Sequence, residues 1–454
     1  MLWQIQDRYT CKECSQLYFD DEQSNRCKCI VHFACVTYAR SKRFWFAVQY
    51  IEASTIIDIA IEQIRACAEM KRFKLNVQTH FIGDKQLRIG EENLNDILES
   101  NSVVMAFFDR DGLDILNLLK SHNLSWKKFT DQSFEIIIDG ISHRLIPFSL
   151  SKSEDYIEFI LRKVKRIIPK FAVVKYRMEN ESFVGPADWI RFVWTLQRSR
   201  FISCEKDFAA RYRQTYPQFF SGKPRIQNGI ILTLQRFRNW AIERGMTPML
   251  CAGTLLGWYR ECGIITYTHD IDFTVFIEEH YDKFPDDVMN SSFIELSLRF
   301  NKPEDLLEYK VYIENGIPMD IFFLYHDQNS SWIGGLSGAT KFIYPLINRT
   351  CATDLLGYLM YVPCNALDVI ASDYSKNWSE PLHSSRYFWN KSPSNILGAG
   401  TVPPEERAES FIQYNSVKNK KANEKKSNPP IKRVTSQRAE HYKTSNVSQR
   451  LMNT

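Results

Sequence analysis

The sequence predicts an α/β (α+β) fold in which a mixed sheet flanked by helices is preceded by a smaller α/β domain. Helical and strand-like periods alternate along the chain, with apolar residues recurring every three or four positions in some stretches and every second position in others. The 454 residues exceed the usual size of a single domain. Apolar residues make up 44% of the chain and aromatic residues 13%, which is ample for buried cores.

Composition divides the chain into four segments. Residues 1–43 are Cys-rich and polar, and residues 44–198 alternate short apolar runs with turns and form the predicted N-terminal α/β domain. Residues 199–398 carry the clearest helix and strand periods. Residues 399–454 are polar, basic and aperiodic, which predicts a disordered tail. Within the N-terminal domain, residues 154–168 have apolar residues at helical spacing and are predicted to be a helix.

The third segment contains the best-defined elements, in the order helix, strand, turn, helix, strand. A long amphipathic helix is predicted over residues 226–244, and it ends at Gly245, a residue suited to a left-handed cap. Residues 246–252 form a short buried strand, Gly253-Thr254 opens a turn, and residues 255–261 form a short helix. Further strands are predicted over residues 270–276, 293–300, 309–314 and 318–325.

The net charge of +5 belongs to the tail. Residues 401–454 contain 11 Lys and Arg against 5 Asp and Glu, so the rest of the chain is nearly neutral. A nearly neutral folded part gives no support for a basic nucleic-acid groove. We therefore expect no nucleic-acid partner.

No stretch of the sequence reaches the roughly 18–20 uninterrupted apolar residues that span a bilayer. The most apolar stretch, residues 44–64, is interrupted by Gln49, Glu52, Asp58 and Glu62, and it is predicted to be an amphipathic helix. The N-terminus also lacks the charged-then-apolar layout of a signal peptide. The sequence as written therefore shows no membrane anchor and no targeting signal.

Sequons and cysteines nevertheless favour a secretory lumen, which conflicts with the missing signal. The chain has 11 cysteines. N-x-S/T sequons occur at Asn123, Asn180, Asn290, Asn329, Asn348, Asn377, Asn390 and Asn446. Five cysteines fall in the first 35 residues, at Cys11, Cys14, Cys27, Cys29 and Cys35. Their CxxC and CxC pairs are close to a zinc-ribbon spacing, but the second pair is too short, so a disulfide cluster or free thiols are favoured over zinc.

Asp270 and Asp272 are separated by one residue on a predicted strand. Side chains alternate across a strand, so positions i and i+2 point the same way, about 7 Å apart along the chain. Two carboxylates at the end of a buried strand repel each other unless a divalent cation lies between them, and oxygen ligands suit Mg²⁺ or Mn²⁺. Asp320 is a third acid, within the apolar strand MDIFF, where a carboxylate needs a partner. The three acids predict a metal site for phosphoryl transfer.

The Gly253-Thr254 turn distinguishes this acidic pair from a second one. Gly253 lets a ligand approach the backbone, the first N–H groups of the next helix attract anions, and Thr254 adds a hydroxyl. Asp109 and Asp111 form another Asp-x-Asp motif after an apolar run, but no such turn precedes them and Gly112 follows at once, which is typical of a turn with solvated charges. The alternative interpretation of the main cluster is structural. Asp270 and Asp272 would then be surface acids on an edge strand, and Asp320 would accept a buried hydrogen bond.

The run GTLLGWYRECGIITYTHDIDF, residues 253–273, resembles the core motif of the LicD and fukutin family of phosphotransferases, within the polymerase-β-like nucleotidyltransferase superfamily. It contains a Gly-Thr-Leu-Leu-Gly run, Arg260, Gly263 and the Asp-x-Asp motif in the family's order. The likeness extends over residues 130–398 and is strongest to the fukutin branch, with MDIFFLY, KFIYPL, YVPC and WNKSPSN following the motif. The resemblance implies a nucleotidyltransferase-like catalytic domain over residues 199–398.

By this resemblance the protein would transfer a phosphorylated polyol, of the ribitol 5-phosphate type, from a CDP-linked donor to a glycan hydroxyl. The acceptor would be a dystroglycan-type O-mannosyl glycan of a glycoprotein, CMP would be released, and Mg²⁺ or Mn²⁺ would be the cofactor. The implied catalytic and metal-binding residues are Asp270, Asp272 and Asp320, with Asp320 as ligand or base, and the implied donor-phosphate contacts are Gly253, Thr254 and Arg260.

The resemblance also implies residence in the Golgi lumen, membrane association and a complex with related glycosylation enzymes. Two alternatives stay open, a LicD-like phosphocholine transferase and a catalytically silent scaffold for other glycan-building enzymes. The intact acids Asp270, Asp272 and Asp320 argue against the silent scaffold. The sequence contains no motif that selects the donor or the acceptor glycan.

Overall fold

The computed structural model describes residues 45–47, 80–82, 85–87, 102–107, 125–128, 133–138, 141–161, 163–178, 181–335, 340–382, 386–398 and 406–414. Its contacts divide the chain into two compact units, residues 1–201 and residues 202–454. The N-terminal Cys cluster and the Asp109–Asp111 pair lie outside the described residues. Within the described ranges, no helix is long and apolar enough to cross a membrane.

The first unit consists mainly of strands in its described part. The strands are β1 (Trp45–Ala47), β2 (His80–Ile82), β3 (Lys85–Leu87), β4 (Ser102–Phe107), β5 (Ser125–Lys128), β6 (Phe134–Ile138), β7 (Ile141–Leu150), β8 (Tyr156–Leu161), β9 (Val164–Pro169), β10 (Val173–Met178) and β11 (Glu181–Pro186), and helix α1 (Trp189–Gln197) follows. Five strands have the order β1-β4-β7-β6-β5, and β8 and β9 extend from β7. β1, β4 and β7 are parallel neighbours, whereas β5, β6 and β7 pair antiparallel.

Residues 154–168, predicted to be helical, instead form the antiparallel hairpin of β8 and β9. From Ile157 to Leu161 alternate side chains are buried, with Glu158 on the more open face, so the burial period is two. Lys163 in the connecting turn has a φ of 64°, in the left-handed region. The Ile, Val and Phe content of this run favours strand pairing, which overrides the helical spacing. The prediction of a helix here was wrong.

The second unit combines a large mixed sheet with flanking helices. The helices are α2 (Lys206–Thr215), α3 (Ile231–Ile242), α4 (Ala252–Glu261), α5 (Phe284–Met289), α6 (Ala366–Tyr374) and α7 (Arg407–Ser410). The strands are β12 (Met249–Leu250), β13 (Ile271–Phe276), β14 (Glu295–Lys302), β15 (Asp305–Ile313), β16 (Ile317–His326), β17 (Ser330–Gly335), β18 (Thr340–Pro345), β19 (Thr350–Leu355), β20 (Tyr358–Pro363), β21 (Ile396–Gly398) and β22 (Phe411–Gln413). This architecture confirms the predicted fold class.

The sheet of the second unit has the order β19-β20-β12-β13-β16-β15-β14-β22, and β17, β18 and β21 continue it from β16. β13 and β16 are parallel, as are β12 and β20, whereas β12–β13, β15–β16 and β14–β15 are antiparallel. β13 lies in the interior of the sheet, and all six of its residues are buried. A strand held on both sides in this way provides a rigid support for the side chains at its start.

Helix α3 covers the sheet with an apolar face. Leu234, Phe237 and Ala241 are fully buried at spacings of three and four residues, as in an amphipathic helix. The Phe237 ring packs against Phe273 of β13, with 5.3 Å between ring centroids. Gly245 follows the helix with a φ of 72°, the left-handed conformation that the sequence predicted.

Two disulfide bonds lie within the second unit, Cys204–Cys262 and Cys351–Cys364. Cys204 precedes α2, and Cys262 ends α4 in the left-handed conformation, with a φ of 51°. This bond therefore ties the segment that leads into α2 to the C-terminal end of α4. The second bond joins Cys351 of β19 to Cys364, the residue that follows the neighbouring strand β20.

The predicted disordered tail, residues 399–454, contains ordered elements. β22 pairs antiparallel with β14, and Phe411 lies opposite Phe300 with 5.5 Å between the ring centroids. Lys302 of β14 forms an ion pair with Glu409 of α7 at 2.7 Å. The prediction was wrong for residues 406–414, because the short apolar run FIQY pairs with an open sheet edge although the surrounding composition is polar.

Candidate functional site

Asp270, Asp272 and Asp320 lie together at the start of β13 and on the neighbouring strand β16. The two strands are parallel, with Asp272 directly opposite Asp320, and opposite residues of paired strands share a face. Asp270 immediately precedes β13, two residues before Asp272. One oxygen of each carboxylate lies within 4.8 Å of the other two. The structure therefore brings together the three acids that the sequence predicted.

Burial makes this cluster unfavourable without a cation. Asp272 and Asp320 are only 9% and 8% exposed. Burial raises the pKa of the Asp272 carboxyl well above its ordinary value, and the negative charges of Asp270 and Asp320 raise it further. Burial also raises the pKa of Asp320, against an opposing effect of Lys310. A divalent cation bound between the carboxylates would relieve this repulsion.

The three carboxylates fit a hard divalent cation. Carboxylate oxygens are the side-chain ligands that Mg²⁺ and Mn²⁺ prefer. Mg²⁺ binds oxygen at about 2.1 Å, so two of its ligand atoms lie at most about 4.2 Å apart. The observed spacing of 4.8 Å or less requires only small side-chain adjustments. These residues could therefore hold such an ion.

Helix α4 begins beside the acidic cluster. A Cβ atom placed on Gly253 would lie 3.9 Å from Asp272 Oδ2 and 3.8 Å from the Tyr374 hydroxyl. The predicted turn at Gly253-Thr254 is instead the first turn of α4, because the helix already begins at Ala252, whose φ is 44°. The first N–H groups of a helix have no partner within the helix and attract anions. The absent side chain of Gly253 thus leaves space next to the carboxylates at a helix N-terminus.

Two threonines orient the acidic residues. Thr254 is 4% exposed, and its hydroxyl accepts a hydrogen bond from the backbone N–H of Asp272 at 2.9 Å. This bond joins the first turn of α4 to the start of β13. The Thr268 hydroxyl donates to Asp270 Oδ1 at 3.2 Å. A contact between Thr254 and donor phosphate stays a prediction. In the structure the Thr254 hydroxyl instead positions the backbone of Asp272.

Arg260 has the surroundings of a buried structural ion pair. It is 2% exposed, and its guanidinium donates to Glu261 Oε1 at 2.6 Å and to the Trp378 carbonyl at 3.3 Å. It also lies over the Tyr212 ring, 4.8 Å from the centroid. The proposed contact between Arg260 and donor phosphate stays a prediction, and this commitment to Glu261 argues against it.

Lys310 and Glu308 of β15 extend the polar cluster, and the sequence reasoning missed both. Lys310 lies opposite Asp320, and its ammonium donates to the two carboxylate oxygens of Asp320 at 2.8 and 3.0 Å. Glu308, two residues earlier, is 7% exposed. Burial raises the pKa of Glu308 to about 8, with the charge of Asp320 contributing. Both residues could have been found by the signal that identified Asp320, a charge within an apolar strand, here DLLEYKVYI.

A second polar cluster surrounds Asp373 at the end of α6. Asp373 is 5% exposed and accepts hydrogen bonds from the Tyr344 hydroxyl and, at 3.2 Å, from Asn395 Nδ2. The next residue, Tyr374, has the hydroxyl that lies near Gly253, and its ring stacks on Tyr387 with centroids 5.1 Å apart. This cluster therefore supports the wall of the acidic site formed by Tyr374.

Substituting Asp373 by Asn is expected to change the pH dependence of stability. Burial raises the pKa of Asp373 from 3.8 to about 7, so the folded chain holds a proton there that the unfolded chain loses. The unaltered protein therefore loses stability as pH rises from about 4 to about 7, by about 2–3 kcal/mol between pH 5 and pH 8, and the variant lacks this contribution. Urea unfolding of both proteins at the two pH values measures the difference.

The control for this measurement is Asp368→Asn, an exposed acid on the same helix. We expect Asp368→Asn to follow the pH profile of the unaltered protein. Equal pH profiles for Asp373→Asn and the unaltered protein would contradict the prediction.

Residues 245–365 match the family model described as "LicD/FKTN/FKRP, nucleotidyltransferase domain". The matched range includes α4, β13 and β16, and with them the three carboxylates of the cluster. The match therefore covers the part of the chain in which the candidate site lies.

Individual relatives resemble a larger part of the chain. The chain is 31% identical over 240 residues to mouse "Ribitol-5-phosphate transferase FKTN", which is 50% of each chain. The human protein of the same name is 29% identical over 237 residues, again 50% of each chain. An uncharacterized protein of Caenorhabditis elegans is 29% identical over 287 residues, which is 61% of this chain and 69% of the relative. The chain spans about half the length of the mouse and human relatives that it matches.

Proposed function

Because the chain carries a LicD-type nucleotidyltransferase domain and is related to fukutin, we propose that it is a metal-dependent phosphotransferase that uses a CDP-linked donor. It would move a phosphorylated polyol, of the ribitol 5-phosphate type, to a hydroxyl of an O-mannosyl glycan and release CMP. The observation that carries the proposal is the cluster of Asp270, Asp272 and Asp320 beside the N-terminus of α4.

The side chains of the cluster have distinct roles in this proposal. Asp270 and Asp272, oriented by Thr268 and Thr254, would hold Mg²⁺ or Mn²⁺, with Asp320 as the third ligand or as the base for the acceptor hydroxyl. A divalent ion bound there would neutralise part of the negative charge of the donor phosphates. The N-terminus of α4 at Gly253 would accept the donor phosphates, since its N–H groups and the missing side chain provide an anion site.

The proposed reaction exchanges a phosphoanhydride bond of the donor for a phosphate ester bond to the acceptor. The oxygen of the acceptor hydroxyl forms a bond to the phosphorus that carries the polyol, and the bond from that phosphorus to the bridging oxygen of the diphosphate breaks. CMP leaves with the bridging oxygen, and the hydroxyl proton passes to a base in the cluster or to water. Positioning and charge neutralisation are the main requirements of such a transfer.

A donor screen tests the proposal. The purified chain, with Mg²⁺ and an O-mannosyl glycopeptide, is incubated with CDP-ribitol, CDP-glycerol or CDP-choline, and CMP release is measured. We expect acceptor-dependent CMP release from a CDP-polyol. Release from CDP-choline alone would favour the phosphocholine alternative, and no release from any donor would favour the scaffold alternative.

We assign the protein to the secretory lumen, in the Golgi, as part of this proposal. Support comes from the two disulfide bonds, which persist in oxidising compartments. Four of the sequon residues, Asn290, Asn329, Asn377 and Asn390, are exposed. Membrane association and a complex with related glycosylation enzymes rest on the family resemblance.

Gly253→Ala is expected to impair donor use without destabilising the fold. The added Cβ would lie 3.8–4.0 Å from its nearest neighbours, which is ordinary contact, and Ala favours a helix over Gly by up to about 1 kcal/mol. The same methyl group would occupy the space between the α4 N-terminus and Asp272, so we expect the KM for the donor to rise about tenfold. Steady-state kinetics and urea unfolding measure the two effects.

Gly257→Ala is the matched control for this substitution on the same helix. Its Cβ would lie 2.9 Å from the Gly263 carbonyl oxygen and 3.1 Å from the Ile265 backbone nitrogen. We expect a loss of about 1–3 kcal/mol in unfolding free energy from this overpacking. A donor KM that Gly253→Ala leaves unchanged would contradict the assignment of the phosphate site to Gly253.

A further inference from the structure

A lysine lies within the acidic cluster. β13, β16 and β15 are adjacent, and the pairing places Asp272 opposite Asp320 and Asp320 opposite Lys310. Opposite residues of paired strands point to the same face. Lys310, Asp320 and Asp272 therefore form one row across three strands, and Lys310 stands at the end of that row.

The contact between Lys310 and Asp320 compensates part of the buried negative charge. The ammonium donates to the two Asp320 oxygens at 2.8 and 3.0 Å, and a hydrogen bond between charged groups is stronger than one between neutral groups. An ammonium has three N–H donors, and the contacts with Asp320 involve its two carboxylate oxygens. The Lys310 side chain is 29% exposed, whereas the guanidinium of Arg260 is buried against Glu261. The ammonium is thus the better placed cation for an incoming anion.

A divalent cation bound to Asp320 would change the electrostatic interactions of the Lys310 ammonium. The ammonium and a divalent ion that share one carboxylate repel each other. An anionic oxygen placed between them turns the repulsion into two attractions. A phosphate group of the donor supplies such oxygens, so the lysine opposes binding of the metal alone and favours joint binding of metal and phosphate.

Building on the proposed function, we infer that Lys310 contacts the diphosphate of the CDP-linked donor and couples its binding to that of the metal. Before the donor binds, Lys310 holds Asp320 in place. When metal and donor are present, its ammonium bridges Asp320 and a phosphate oxygen. This assigns to Lys310 the phosphate-binding role that the family resemblance implied for Arg260.

Calorimetric titration of Lys310→Met tests the inference in two arms, with Mg²⁺ alone and with CDP at saturating Mg²⁺. We expect the variant to bind Mg²⁺ alone about tenfold more tightly, because the competing ammonium is gone. We expect its affinity for CDP to fall roughly 10- to 100-fold, because a charge-assisted contact is lost. Lys310→Arg keeps the charge, folds without an unpaired Asp320 and should retain most of the CDP affinity.

Lys302→Met is the matched control. Lys302 lies on β14, the strand next to β15, and forms an ion pair with the exposed Glu409 of α7. We expect it to leave both affinities unchanged. Weaker Mg²⁺ binding by Lys310→Met, or a CDP affinity equal to that of the unaltered protein, would overturn the inferred role of Lys310. Neither result would overturn the proposed function. If Lys310→Met does not fold, a CDP affinity of Lys310→Arg below that of the unaltered protein by roughly 100-fold or more overturns it. No CDP binding by the unaltered protein at any Mg²⁺ concentration would overturn the proposed function as well.

Discussion

Asp272→Asn is expected to reduce CMP release by about 1000-fold or more and, at the same time, to leave the metal-free protein as stable as before or more stable. Asp272 is buried opposite Asp320, and its carboxylate is the central ligand of the proposed metal site. Loss of one ligand and one negative charge removes several kcal/mol of transition-state stabilisation. The neutral amide also removes repulsion from Asp270 and Asp320, which raise the pKa of the Asp272 carboxyl beyond the effect of burial.

Three measurements check this expectation: the rate of CMP release, the melting temperature in EDTA, and the rise in melting temperature on addition of Mg²⁺. The unaltered protein should show a rise with Mg²⁺ because a ligand that binds only the folded state stabilises it. Asp272→Asn should show little or none. Asp282→Asn, a substitution at an exposed acid, is the control and should behave like the unaltered protein. Full activity in Asp272→Asn would exclude the cluster as the metal site.

Removal of the Cys204–Cys262 disulfide by the double substitution to Ser is expected to lower the unfolding free energy by about 4 kcal/mol. The bond closes a loop across a sequence separation of 58 residues, and the stabilisation expected from restricting the unfolded chain grows with loop length. The Cys351–Cys364 bond spans a separation of 13 residues, for which the same relation gives about 3 kcal/mol. The first double variant should therefore be the less stable of the two by about 1 kcal/mol.

The two disulfide variants also differ in their expected effect on function. Cys262 ends α4 in a left-handed conformation that residues other than glycine adopt at a cost, and α4 carries Gly253 and Thr254 at its other end. We expect the Cys204–Cys262 variant to raise the donor KM, and the Cys351–Cys364 variant to leave it unchanged. Urea unfolding and steady-state kinetics of both variants decide this. Equal destabilisation together with equal KM values would show that the first bond has no special link to α4.

The proposed metal ligands were predictable because a carboxylate on an apolar strand is a conspicuous exception to a regular pattern. Asp272 and Asp320 interrupt the strands IDFTVF and IPMDIFFLY, and burial of such groups requires a cation or another partner. Parallel pairing of these strands is a long-range property that no local pattern reveals. The juxtaposition of Asp272 and Asp320 could therefore be expected only as part of the family resemblance. In the structure the register of β13 and β16 places the two residues opposite each other.

Lys310 could be noticed as a charge within an apolar strand, but which acid it pairs with could not be predicted in the same way. Lys310 faces Asp320 because β15 pairs with β16 in one particular register, and a shift by one residue would turn it to the other face of the sheet. The family resemblance implied a phosphate contact for Arg260, yet its guanidinium donates to Glu261, its neighbour in sequence. Such choices depend on packing around each side chain, which local periodicity does not contain.

The pairing of β22 with β14 has a consequence for association between molecules. β14 is eight residues long, and its outer backbone groups would form a template for strands of other chains if nothing covered them. β22 covers part of this edge with only three residues, and the ion pair of Lys302 with Glu409 adds charge beside it. A fragment that ends at Gly398 would lack this cover and would be prone to edge-to-edge aggregation. The short segment after residue 405 would thus protect the sheet from intermolecular pairing, a role separate from the chemistry proposed at its centre.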